Sequence, residues 1–135
     1  MGVSTVAARW TGENLDFMGA TPKGQEVKMG KGGPSPSQLM LMGLAGCTGM
    51  DVVSILQKKR QDVIDVEVQV TAHNADDYPK PYQQIELKFI VKGRNLDPKS
   101  VERAIHLSET KYCVVGQTLQ NKAEITTSFE IEEPA

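Results

Sequence analysis

Between Ser35 and Arg60 the chain is committed to one long helix, and that helix limits what the remainder can fold into. Ser35 fits the N-cap, Pro36 the first helical position, and Gln38 falls where a capping box needs its third residue. At the other end, Lys58, Lys59 and Arg60 suit the negative pole of the helix dipole. Between these ends Leu39, Met40, Leu41, Met42, Leu44, Val52, Val53, Ile55 and Leu56 cover most of the circumference. A helix apolar nearly all round belongs at the centre of a fold. Its most apolar stretch, residues 39–50, is broken by glycines and closed by Asp51, too short to span a bilayer.

The other elements arrange themselves around it. Upstream, short strands are expected over residues 3–10, 14–18 and 26–29, separated by Thr11-Gly12-Glu13 and Thr21-Pro22-Lys23-Gly24. Gly30-Lys31-Gly32-Gly33-Pro34 then stops the pattern. Downstream, Ile64, Val66, Val68 and Val70 alternate with polar residues, the signature of a half-buried strand. A loop over residues 74–81 leads to a second strand with Ile85, Leu87, Phe89 and Val91 on one face. Asp97-Pro98 is another cap-plus-proline start. It opens a helix whose core stripe is Val101, Ala104, Ile105 and Ser108, ending near Tyr112. Residues 114–120 lead on to a last strand built on Ile125, Thr127, Phe129 and Ile131. The order βββ-α-ββ-α-β is an α+β fold, with long helices packed on mostly antiparallel sheet.

The 135 residues make one domain, 1–135. Lys and Arg number 15 against 17 Asp and Glu, a net charge of -2 that argues against a nucleic-acid partner. The first ten residues lack the apolar core of a secretory signal, so a cytoplasmic chain without a membrane segment is expected. In that setting two cysteines are no disulfide scaffold, and zinc-type spacing is missing, so no metal site is expected. Neither a phosphate-binding loop nor a dinucleotide glycine motif is present. Cofactors are expected to be none.

What chemistry remains centres on the cysteines. Gly43, Gly46, Cys47 and Met50 follow the i, i+3, i+4, i+7 rule and share one face of the long helix. Such a face either lets another backbone pack closely or opens a slot to the Cys47 sulfur. Cys47 sits about three turns in, too far for the helix dipole to activate it. Met40 and Met50 lie on the same side, and apolar surroundings disfavour a thiolate. A reactive Cys47 would therefore need a cation from elsewhere, with Arg9, Lys23 and Lys111 as the candidates. Cys113 reads either as a buried structural residue or as a thiol that meets Cys47. His73 and His106 fall off the apolar faces of their elements and read as solvated.

Ser35-Pro36 opening the helix, Leu44-Ala45-Gly46-Cys47 within it, Asp51-Val52-Val53-Ser54-Ile55-Leu56, and Glu109-Thr110-Lys111-Tyr112-Cys113 together resemble the OsmC/Ohr family. Within it, the likeness is to the YhfA-like branch, and it covers nearly the whole chain. The resemblance implies an OsmC-like, intertwined homodimer with both cysteine sites at the subunit interface. It also implies a peroxiredoxin-like thiol peroxidase acting on small organic hydroperoxides. Cys47 then matches the residue that attacks peroxide, and Cys113 the one that resolves the sulfenic acid as a disulfide. A dithiol reductant such as a lipoyl protein would reopen that bridge. Peroxidatic members carry a Glu directly after the helix-opening Pro, where this chain has Ser37. They also carry an activating Arg in the N-terminal hairpin, where an ungapped alignment on Trp10 places Asp16. Arg9, Ser37, Gln38, Gly43 and Met50 are the activating or lining residues to examine. The rival expectation is a non-catalytic stress-response or ligand-binding dimer whose cysteine pair is inert or redox-sensing.

Overall fold

The capping box at Ser35 forms as the sequence requires. Ser35 Oγ accepts from the Gln38 amide at 3.1 Å, and Gln38 Oε1 accepts from the Ser35 amide at 2.9 Å. In the computed structural model, which describes residues 2–121, 126, 128, 130 and 134, the long helix is the fourth element. Before it come β1 (Ala7–Trp10), β2 (Phe17–Ala20) and β3 (Glu26–Met29), an antiparallel sheet in that order. After α1 (Pro36–Lys58) a hairpin of β4 (Asp62–Asn74) and β5 (Tyr82–Arg94) leads to α2 (Pro98–Leu107). A wide π-type turn over Ser108–Tyr112 then gives way to a short helix, α3 (Val114–Gln120). The class is α+β with antiparallel sheets, as read from the sequence.

Several boundaries differ, each for a local reason. α1 stops at Lys58 because Arg60 adopts φ 58°. The amides of Arg60 and Gln61 then fold back onto the Gln57 and Leu56 carbonyls at 2.9 and 3.0 Å, the pairing of a Schellman stop. β2 begins three residues later than expected, because Asp16 is spent as a loop anchor. Asp16 is buried, its carbonyl accepts from the Thr11 amide, and its carboxylate accepts from the Lys31 amide at 2.7 Å. In β4 a register shift between Val63 and Asp65 turns Ile64 outward, so Val63 takes the inward place expected for Ile64. Residues 114–120 are helical rather than a plain connection. The strand expected from Ile125, Thr127, Phe129 and Ile131 falls on residues outside those described.

The core forms where α1 crosses the hairpin and α2. Leu44, Thr48, Val52 and Leu56, each four residues apart, make the single buried stripe of α1. Around Val52 and Leu56 pack Ala104, Val63, Phe89, Val91, Val101 and Ile105. The stripe is narrow for so apolar a helix: Met40, Met42 and Met50 stay exposed. By length and composition alone α1 could cross a membrane. Instead it carries Asp51 at mid-length, hydrogen-bonded to Ser108 of the same body. Among the described residues the strands of the β1–β3 sheet contact one another and hardly touch α1, the hairpin or α2. All four residues of β1 are exposed, Trp10 and Arg9 among them. Leu56→Ala is expected to lower stability by about 2–5 kcal/mol through the cavity it leaves, read from urea midpoints at unchanged slope.

Candidate functional site

The site is assembled by α1 and by the turn after α2. Cys47 stands on α1 next to the buried Thr48, half-buried itself. Cys113 arrives from the other side at the end of the π-type turn, with only 1% of its surface exposed. Its backbone amide donates to the Ser108 carbonyl at 2.9 Å, the long-reach bond that makes the turn wide. Its sulfur caps α3, accepting from the Gly116 amide at 3.3 Å. Both thiols are free, and Cys47 is among the groups that act on Cys113.

The surroundings decide which thiol keeps its proton. Burial pushes the Cys113 pKa up, and the hydrogen bond with Cys47 pushes the same way. The Gly116 amide pulls it down, but the charges of Cys47 and Asp51 add to the rise. Cys113 is thus held as a thiol, shielded from solvent, while its neighbour is the more accessible of the two.

A polar chain runs through the same contact. Thr48 Oγ1 and Ser108 Oγ are 2.8 Å apart, and Ser108 Oγ donates to Asp51 Oδ2 at 2.8 Å. Thr48 and Ser108 are both buried. Buried hydroxyls of this kind are kept only when paired, and these are paired to each other and to a carboxylate. Beside Cys113 lies a half-open cavity of about 640 Å³, walled by Leu44, Ile85, Phe89, Ile105 and Leu119 and by the polar side chains of Tyr82, Gln83, Glu109 and Gln120.

The other expected site residues are placed as follows. A Cβ on Gly43 or Gly46 would meet nothing within 4 Å, and Met50 is 75% exposed. Among the described residues that helix face is therefore open, and of its glycines Gly49 alone approaches another element, at Val68. Ser37 and Gln38 sit at the mouth of α1, about 15 Å along the axis from Cys47 at 1.5 Å per residue. There Gln38 is occupied by the capping box and Ser37 lies 3.3 Å from the Ser35 hydroxyl. Neither is brought to the thiols. Arg9 lies on the outlying sheet, Lys23 in its exposed turn, and Lys111 over the Tyr112 ring at 5.4 Å. None of these three cations is among the groups that act on Cys113. His73 pairs with Glu86 at 3.4 Å on the surface, and His106 is exposed. Among the described residues no group of three His, Cys, Asp or Glu could hold a metal ion.

Sequence reasoning missed Thr48, Asp51 and Ser108 as a unit. The signal was there: two polar residues three apart in an otherwise apolar helix, and a serine phased into the core stripe of α2.

The architecture agrees with the comparisons. The family model described as OsmC-like protein matches residues 28–128. The chain belongs to the OsmC-like family. Protein YhfA of Escherichia coli K12 is 42% identical over 127 residues, 91% of this chain and 94% of that protein. A hypothetical protein from Aquifex aeolicus, 33% identical, superposes with a TM-score of 0.81 over 89% of each chain. The organic hydroperoxide resistance protein OhrB of Bacillus subtilis superposes with a TM-score of 0.59 at 15% identity. That alignment covers 90% of this chain and 93% of OhrB, and it speaks to the fold alone.

The raised Cys113 pKa has a measurable sign. As pH rises past the unfolded thiol value of about 8.5, the unfolded chain gives up this proton before the folded one does. Stability is therefore expected to fall with rising pH from there up to the folded value. Urea unfolding across that range should show a flatter pH slope for Cys113→Ser than for the unaltered protein.

Proposed function

We propose that this protein is a cytoplasmic, homodimeric, cysteine-based reductase of organic hydroperoxides. The observation that carries the reading is the meeting of two free thiols of unlike exposure: Cys47 within reach of solvent, Cys113 enclosed and protonated. The Cys47 thiolate attacks the peroxide O–O bond, an alcohol leaves with one added proton, and Cys47 becomes a sulfenic acid. Cys113 then attacks that sulfur, the S–O bond breaks, and its proton leaves with the hydroxide as water. An external dithiol, of which a lipoyl protein is one kind, reduces the resulting disulfide by exchange. The apolar part of the cavity wall beside Cys113, Leu44, Phe89 and Ile105, is suited to an organic chain, and the chemistry asks for no metal or cofactor. Family membership supports the reading, as does the name of the structural neighbour OhrB.

A second copy of the chain completes this picture. Among the described residues the face of α1 with Gly43, Gly46 and Met50 is uncovered, and the β1–β3 sheet finds little to pack against. A second protomer would cover both, burying more than about 2,000 Å², the range of permanent interfaces. It would also bring other groups, Arg9 among them, near the thiols. Sedimentation at micromolar concentration should therefore show a dimer, and a folded monomer would contradict this assembly.

One observation favours a quieter role. The fixed charge acting on Cys113 is the acidic Asp51, not a cation. A pair poised in this way also suits a redox sensor that closes once and is not turned over. Turnover separates the two roles. Peroxide consumption driven by a dithiol reductant is expected from the unaltered protein and should vanish in Cys47→Ser. Cys113→Ser should consume one equivalent in forming the Cys47 sulfenic acid and a second as that acid is oxidised to the sulfinic acid, with no further turnover. Disulfide formation without repeated consumption would assign the sensing role instead.

A further inference from the structure

The thiol pair is held together through a buried polar chain that the peroxide chemistry above does not use. Its direction follows from the donor inventory. An ionised carboxylate only accepts, and a serine hydroxyl has one proton, so the Ser108 proton goes to Asp51. Thr48 must then be the donor in its 2.8 Å contact with Ser108. The chain reads Thr48 to Ser108 to Asp51, with two members on α1 and the third at the junction of α2 and the π-type turn.

Ser108 is where this matters. Its side chain fixes the start of the turn to α1, and its carbonyl receives the Cys113 amide at the end of the turn. The four residues between, 109–112, are pinned at both ends by one residue. Cys47 precedes Thr48 by one position and Asp51 by four, so the anchor and the attacking thiol share one rigid helix. Where Cys113 stands relative to Cys47 is thereby set by the grip of Asp51 on Ser108.

We infer that Asp51 is the positioning residue of the resolving cysteine, anchoring through Ser108 the turn that delivers Cys113 to Cys47. This extends the redox reading of the pair and rests on it. The Asp51 carboxylate has a second effect by charge alone, since a neighbouring anion disfavours the Cys113 thiolate. The groups facing Cys113 are Cys47 and Asp51 from α1 and the Gly116 amide from α3, with Glu109 and Tyr82 on the wall of the same cavity. Cys113 therefore keeps the proton it must release with the departing hydroxide when the disulfide closes.

Two measurements on the full chain test this, and neither needs peroxidase activity. Diamide closes a dithiol directly: two S–H bonds break, the S–S bond forms, and the two hydrogens reduce its N=N bond to a hydrazide. Closure of Cys47–Cys113 by diamide, followed by mass mapping of alkylated peptides, should be at least tenfold slower in Ser108→Ala than in the unaltered protein. Asp51→Asn keeps an oxygen that can accept from Ser108 but removes the charge. In a Cys47→Ser background it should shift the ultraviolet thiolate titration of Cys113 to lower pH, which a merely structural role would not do. Closure at the unaltered rate in folded Ser108→Ala overturns the inference, and so does an unmoved titration in Asp51→Asn. If Ser108→Ala fails to fold, Asp51→Ala, which removes the anchor and leaves the turn's own residues in place, takes its part in the diamide assay, and closure at the unaltered rate there overturns the inference. Should the protein reduce no hydroperoxide yet show both effects, the proposed activity fails and the positioning role stands.

Discussion

A 2.8 Å hydrogen bond between a buried serine and a helix carboxylate holds the two halves of the site in register. Without the contact of Ser108 with Thr48 and Asp51, α1 and the end of α2 would meet only through apolar side chains, which resist sliding weakly. Hydrophobic burial is non-directional, whereas a paired buried hydroxyl has one geometry. The apolar stripe of Leu44, Val52 and Leu56 supplies the attraction, and the polar chain within it supplies the register. The position of Cys113, its cap on α3 and its meeting with Cys47 all follow from that register.

The same helix presents a different surface on its other side. Among the described residues only one stripe of so apolar a helix is buried, and much of its hydrophobic surface is left open. The glycines explain the shape of what is left. Gly43 and Gly46 remove side chains where a close neighbour would otherwise be held off, yet among the described residues no neighbour is there. The exposed methionines around them are flexible and polarisable, suited to a surface that another protein covers. A site made from α1 is thus closed on one side by its own chain and open on the other.

Much of this was legible in the residues. Capping chemistry at Ser35 and Asp97 located both long helices, because a cap is a local interaction that needs no tertiary context. The periodicity of α2 put Ala104 and Ser108 in the core correctly. The errors came where tertiary structure overrides a local pattern. Ile64 was read inward from simple alternation, but one extra residue in the strand reverses the phase on that side of the bulge. Asp16 was read inside a strand, yet its carboxylate is recruited by the Lys31 amide fifteen residues away. The π-type turn has no sequence signature of its own. Its wide bond exists because Ser108 is tied to α1, a contact across 57 residues that no local window contains. Ser37 and Gln38, marked for the site by family resemblance, belong to the helix cap within this chain.

At the centre of the account is the claim that Cys47 and Cys113 form one redox unit. Its most direct measurement is peptide mapping of the reduced protein after one equivalent of an organic hydroperoxide, with free thiols trapped by alkylation. The account predicts an intramolecular Cys47–Cys113 bridge, with neither thiol alkylated and two hydrogens lost in mass. Both cysteines recovered alkylated, or Cys47 oxidised while Cys113 remains free, would contradict it.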